Sequence, residues 1–240
     1  MRNTMEQTGA SFVTTCWTLI DRVRSGDEGT RRAAFDECAK LYWPPVYACA
    51  RRLTRTRDEA LDLTQAFFAD VVLARGLFDR ADPGEGSARS LVRAALKRFA
   101  TDQWRRGQAR GQGLVVSGEA IEREESLARD EDPGVAFDRR WALSMFEEAM
   151  RRCEAHFESA GRAGHWRLFE ARVVRELPVL LAEAAETFGF ASAALAAAAV
   201  QTVKRRLDAI LREVVAETAR DEREAGLEFE QVLALLSIRE

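Results

Sequence analysis

Lysine is nearly missing from this chain of 240 residues: of 36 basic side chains, only Lys40, Lys97 and Lys204 are not arginine. Its cationic contacts are therefore almost all planar, forked guanidinium contacts, which suit carboxylates and phosphates. Histidine is nearly missing as well, with only His156 and His165. Cys153 and His156 stand three apart, but no second ligand pair lies close by, and a structural zinc needs four ligands. The four cysteines, Cys16, Cys38, Cys49 and Cys153, form no C-x-x-C pair, which argues against a metal ribbon and a disulfide scaffold. Long apolar runs are lacking: the least polar window, 191–200, is ten residues of mostly alanine, where a membrane span needs about 20. The N-terminal MRNTMEQTGASF has no apolar stretch of the signal-peptide kind. These absences lead us to expect a cytoplasmic protein with reduced thiols and no membrane insertion. G-x-S-x-G, a glycine-rich phosphate loop and H-E-x-x-H are also absent, so neither a catalytic site nor a metal nor a cofactor is expected, and the chain does not read as an enzyme.

What is present is an ordinary globular composition, 47% hydrophobic and 31% charged with a formal net charge of -3, spread unevenly. Residues 89–110 carry seven basic side chains (Arg89, Arg93, Lys97, Arg98, Arg105, Arg106, Arg110) against the single acid Asp102. A positive field on so short a stretch marks the place for an anionic partner. Residues 119–132 carry seven acids.

Period-two alternation is not sustained anywhere, whereas 3.6-residue periodicity recurs with Ala, Leu, Arg and Glu, so the fold class reads as all-α. The pattern predicts helices over 14–24, 30–41, 45–53, 58–74, 87–106, 135–159, 163–175, 179–187, 191–218 and 224–236. Between them, residues 107–134 combine five glycines with a run of acids, a composition that buries too little apolar surface to offset its ordering entropy. That segment is expected to be an acidic flexible linker joining two helical domains.

Three helical elements carry candidate binding residues. In DEALDLTQAFFADVV, Asp58 is expected as the N-cap, Leu63, Phe67 and Val71 form an apolar stripe, and Asp58, Asp62 and Gln65 share a polar face. Adjacent Phe67 and Phe68 point about 100 degrees apart on an α-helix, so one ring is expected to stay partly exposed beside the polar cluster as a protein-binding face. The bland alternative is an amphipathic core helix with a wet side. On the next helix, Arg89, Arg93, Lys97, Ala100 and Trp104 fall on one stripe, and Val92, Leu96 and Phe99 on another. Cations that neutralise phosphates beside an indole that stacks on an unpaired base suit single-stranded or opened nucleic acid, and a solvated basic face with Trp104 turned inward is the competing reading. The third element, 177–207, places a turn at Phe188, Gly189 and Phe190 before a helix started by Ser192, the spacing of a helix-turn-helix and also of many ordinary helical corners.

In this order the three elements resemble the extracytoplasmic-function (ECF) group of bacterial sigma factors, the promoter-recognition subunits of RNA polymerase. The DLTQ of 62–65 with Phe67 and Phe68 is similar to region 2.2, LVRAALKRFATDQWRR at 91–106 to regions 2.3 and 2.4, and 178–212 to region 4.2. TTCW at 14–17, YWPPVY at 42–47 and AET at 216–218 extend the resemblance over nearly the whole chain. It implies a σ2-like domain at 11–106, the linker at 107–134, a σ4-like helix-turn-helix domain at 135–218 and a helical tail at 219–240. It also implies core polymerase docking, on the β′ clamp helices and β flap, through Asp58, Asp62, Leu63, Gln65, Phe67 and Phe68. Capture of the melted -10 element would fall to Arg89, Arg93, Lys97, Arg98, Asp102, Trp104, Arg105 and Arg106. Contacts at -35 would fall to Ser192, Gln201, Thr202, Lys204, Arg205 and Arg206. Promoter DNA and core polymerase are thus the implied partners, and an anti-sigma factor is left open.

Two features depart from the family pattern. Arg98 stands where many members have Asn, and the outer face of the expected recognition helix is largely alanine, so phosphate contact there is expected to outweigh base reading. From the residues alone, a polymerase-independent helix-turn-helix regulator and an all-α interaction protein remain alternatives.

Overall fold

Helices account for nearly all of the regular structure in the computed structural model, which describes residues 16–82, 84, 86–109, 131–177 and 181–237. Among the described residues there is no strand, and the fold is all-α. The helices are α1 (Cys16–Ser25), α2 (Glu28–Leu53), α3 (Arg57–Ala66), α4 (Ala88–Ala109), α5 (Pro133–Ser159), α6 (Ala163–Phe169), α7 (Leu181–Phe188), α8 (Ala193–Ala216) and α9 (Glu222–Ser237).

Local chemistry explains most boundaries. Asp27 caps α2 through the Thr30 N–H, Asp132 caps α5 through the N–H groups of Gly134 and Val135 with Pro133 in the first turn, and Ser192 caps α8 through the Leu195 N–H. Two expectations are corrected. The segments 30–41 and 45–53 are one helix, α2, running through Pro44 and Pro45. Each proline removes a backbone donor at a cost of about 3 kcal/mol, and burial of Tyr42, Val46, Cys49 and Ala50 on either side keeps the helix continuous. Asp58 is not the cap of α3: Thr56 is, in a capping box where the Thr56 hydroxyl accepts the Glu59 N–H and the Glu59 carboxylate accepts the Thr56 N–H.

Two helices change pitch at their ends. α3 continues as a π-helical segment at Phe67–Ala74, and α6 does the same at Glu170–Val174. The wider i→i+5 turn alters which neighbours share a face.

α2 lies along α5, α1 along α2, and α8 is held among α5, α6, α7 and α9. Tyr42 and Val46 of α2, Phe67 and Phe78, Leu96 of α4, Phe137 and Trp141 of α5, and Val203 and Leu207 of α8 all belong to one cluster of buried apolar residues. The core therefore runs without a break from residues before position 107 to residues after position 134. Positions 110–130, the greater part of the expected linker, lie outside the described residues, as do Thr14 and Thr15.

Candidate nucleic-acid interface

α4 is built as an amphipathic helix. Val92, Leu96 and Phe99 are buried, as their spacing predicts, and Phe99 meets the edge of Phe67 at 5.8 Å. That anchorage turns the opposite side outward. Lys97, Arg98, Arg105 and Arg106 are exposed and, among the described residues, carry no ion pair. Trp104 is 47% exposed, so it is not packed into the core. Asp102 is half-buried on the same helix.

Arg89 departs from the expected free stripe. It is only 7% exposed, and Asp138 of α5 and Glu228 of α9 flank its guanidinium. Arg93, one turn on, is exposed but ion-paired with Asp138 at 2.5 Å. The sequence pattern could not show this, because the acids lie 45 or more positions away.

Beside the exposed end of the stripe is a cavity of about 830 Å³, lined by Leu53, Leu63, Ala100, Trp104 and Val135 together with Arg93 and Lys97. The start of α5 closes one side, and its position is fixed by Glu131, which pairs with Arg52 at 2.9 Å and Arg139 at 3.2 Å. Cys49 also reaches this cavity. Burial, reinforced by the negative charges of Asp132 and Asp138, pushes its thiol up to about 12, so at neutral pH it is a protonated wall atom and not a nucleophile. Among the described residues no group of three or more His, Cys, Asp or Glu could hold a metal ion.

On α3, Asp58, Asp62 and Gln65 are exposed and Leu63 is half-buried. The expectation of an exposed phenylalanine beside them is corrected: Phe67 and Phe68 are both buried, because α4 covers one ring through Phe99 and α2 covers the other through Trp43. Phe68 stacks on Trp43 of the YWPPVY segment at 5.2 Å, and the two phenylalanines meet edge to face at 5.6 Å. The exposed apolar group beside the polar cluster is Leu61, 37% exposed. The signal that locates it is spacing, since Leu61 stands three after Asp58 and four before Gln65, on their face of the helix.

α7 and α8 follow one another across a short turn. Gly189 takes φ 78 between α7 and α8, in the left-handed region that glycine enters without a Cβ penalty, and the Phe190 N–H bonds back to the Ala185 carbonyl at 2.7 Å. Ala196, Ala199, Val200 and Val203 pack inward, leaving Ala194, Leu195, Ala198, Gln201, Lys204 and Arg205 exposed. The Ser192 hydroxyl is used as the cap, the Thr202 hydroxyl donates to the Ala198 carbonyl at 2.9 Å, and Arg206 pairs with Glu213 at 3.5 Å. Of the six residues expected at -35, Gln201, Lys204 and Arg205 retain freely presented side chains.

No helix among the described residues is long and apolar enough to cross a membrane. Comparison of the chain with protein-family models, with curated proteins and with solved structures gives no match.

Proposed function

We propose that this chain is a transcription-initiation subunit of the ECF sigma type, with 11–106 acting as the polymerase-docking and strand-opening part, 107–134 as a tether and 135–218 as the duplex-binding part. The observation that carries the reading is the placement of exposed Trp104 with Lys97 and Arg93 around one cavity that Leu63 of the DLTQ helix also lines. Lys97, Arg98, Arg105 and Arg106 supply phosphate neutralisation along one strand. Trp104 offers a face for an unpaired base, worth about 1 to 3 kcal/mol. The cavity beside it has apolar walls and room for a base turned out of the stack. A site that binds the unpaired strand better than the duplex favours opening by that difference in affinity.

Asp62 and Gln65, with Leu61 and Leu63 beside them, form the surface proposed to dock on core polymerase: hydrogen-bonding groups around an apolar contact. The test is a pull-down of bacterial core RNA polymerase by the full chain and by the Asp62→Ala, Gln65→Ala double variant. These residues are exposed, so the variant should keep its circular dichroism spectrum and lose retention. Undiminished retention by a folded variant removes the docking assignment. A polymerase-independent regulator would shift duplex DNA without retaining polymerase, and an interaction protein would do neither.

A further inference from the structure

One end of the basic stripe is already occupied. Arg89 and Trp104 are 15 positions apart, about 22 Å along the helix at 1.5 Å per residue, and their surroundings differ sharply. Around Trp104 the cations face solvent. Around Arg89 two elements from beyond position 130 converge.

Arg89 Nη1 donates to Asp138 Oδ1 of α5 at 2.7 Å, Nη2 donates to Gln231 Oε1 of α9, and Nε lies 2.9 Å from Glu228 Oε2, also of α9. The guanidinium sits 4.7 Å over the Trp141 ring. Asp138 uses its second oxygen on Arg93 at 2.5 Å. Two carboxylates thus fill the guanidinium edges that two phosphates would use, and the Arg89 and Glu228 side chains are 8% and 6% exposed.

Stability alone is a weak explanation for such a cluster, because a buried ion pair is often matched or exceeded by apolar side chains of similar size. α9 has other anchors as well: Val232 and Phe229 are buried, and Arg212 lies 3.9 Å over the Phe229 ring. What the cluster adds is charge complementarity between the start of α4 and a surface made jointly by α5 and α9.

We infer that α9 and the first turns of α5 are an intramolecular competitor for nucleic acid, with the Asp138 and Glu228 carboxylates standing in for phosphates on Arg89 and Arg93. This rests on the nucleic-acid reading of α4 proposed above. In the closed arrangement the free chain binds single strands only through the Lys97-to-Arg106 end. Any strand or partner that displaces the Asp138 and Glu228 carboxylates adds two cations to the contact.

The test uses the full chain with Asp138→Asn and Glu228→Gln, singly and together, changes that keep side-chain size and remove charge. Circular dichroism checks folding, hydrogen exchange of α9 reports release, and a fluorescein-labelled single-stranded DNA of mixed sequence, titrated across salt concentrations, reports contact. Each freed cation should steepen the dependence of log K on log salt by about 0.7, so the double variant should be steeper by about 1.4 and bind more tightly at low salt. If the double variant does not fold, the single Asp138→Asn change at the more exposed Arg93 should still steepen the slope by about 0.7. An unchanged slope, in variants whose binding still depends on Lys97 and Arg105, overturns the competition and leaves the α4 interface standing. Oligonucleotide binding that Lys97→Ala and Arg105→Ala do not affect overturns the interface and this inference with it.

Discussion

Gly164, in the first turn of α6, faces the backbone carbonyl of Phe188 so closely that a Cβ at position 164 would lie 2.6 Å from that oxygen. Phe188 begins the turn between α7 and α8, so this glycine lets α6 brace that turn. Gly164→Ala forces backbone apart at a packed contact, and a loss of about 1 to 3 kcal/mol is expected. Urea unfolding measures it, and a midpoint equal to that of the unsubstituted chain would show that the brace yields freely.

The neighbouring His165 makes the same corner sensitive to pH. Its ring stacks on Phe157 at 5.9 Å and meets Phe190 edge to face at 5.1 Å. Burial, with a further contribution from the Arg162 charge, holds its pKa below the usual 6.5. As pH falls, the unfolded chain therefore takes up this proton before the folded chain does. The stabilisation is complete above pH 6.5 and is lost as pH drops through that value toward the lower folded one. Between about pH 7.5 and pH 5.5 the unsubstituted chain should lose more stability than His165→Gln, which cannot take up that proton. Parallel losses in thermal unfolding would contradict it.

The interior of the fold was easier to read from the sequence than its partners. Val92, Leu96 and Phe99 were legible as the buried face of α4 because helical period and burial act locally. Ser192 was legible as a helix start for the same reason. Pro44 and Pro45 misled, since neighbouring core packing outweighs their local cost. Phe68 misled because an α-helical wheel cannot anticipate a stacking partner 25 positions earlier, Trp43. Arg89 lies on a helix that the periodicity predicts, yet its pairing with Asp138 and Glu228 is a tertiary fact with no local signature.

Trp104 separates stacking from packing. Because its ring is about half exposed, Trp104→Ala should cost no more than about 1 to 2 kcal/mol of stability. The same change should weaken binding of single-stranded DNA by about 1 to 3 kcal/mol if a base stacks there. Fluorescence titration with a labelled oligonucleotide, alongside thermal unfolding, reads both quantities. Equal affinity would return Trp104 to the role of an ordinary surface residue.

At α8, proposed above to contact duplex DNA, the prediction is poor base discrimination. A bidentate side-chain contact to a base edge contributes about 1 to 3 kcal/mol of selectivity, and the exposed face of α8 offers Ala194, Leu195 and Ala198 before Gln201, Lys204 and Arg205. Transcription from a library randomised separately at the two promoter elements should show less sequence information upstream, at -35, than at -10. Equal or greater information at -35 would mean that another surface reads the bases.

The proposed role is to direct core RNA polymerase to start sites. Run-off transcription measures it most directly, using bacterial core polymerase, a randomised promoter library and the purified full chain. Discrete transcript starts are expected that depend on the chain and disappear with the Asp62→Ala, Gln65→Ala variant. Transcripts no different from those of core polymerase alone, in the presence of a folded chain that binds duplex DNA by itself, would contradict it.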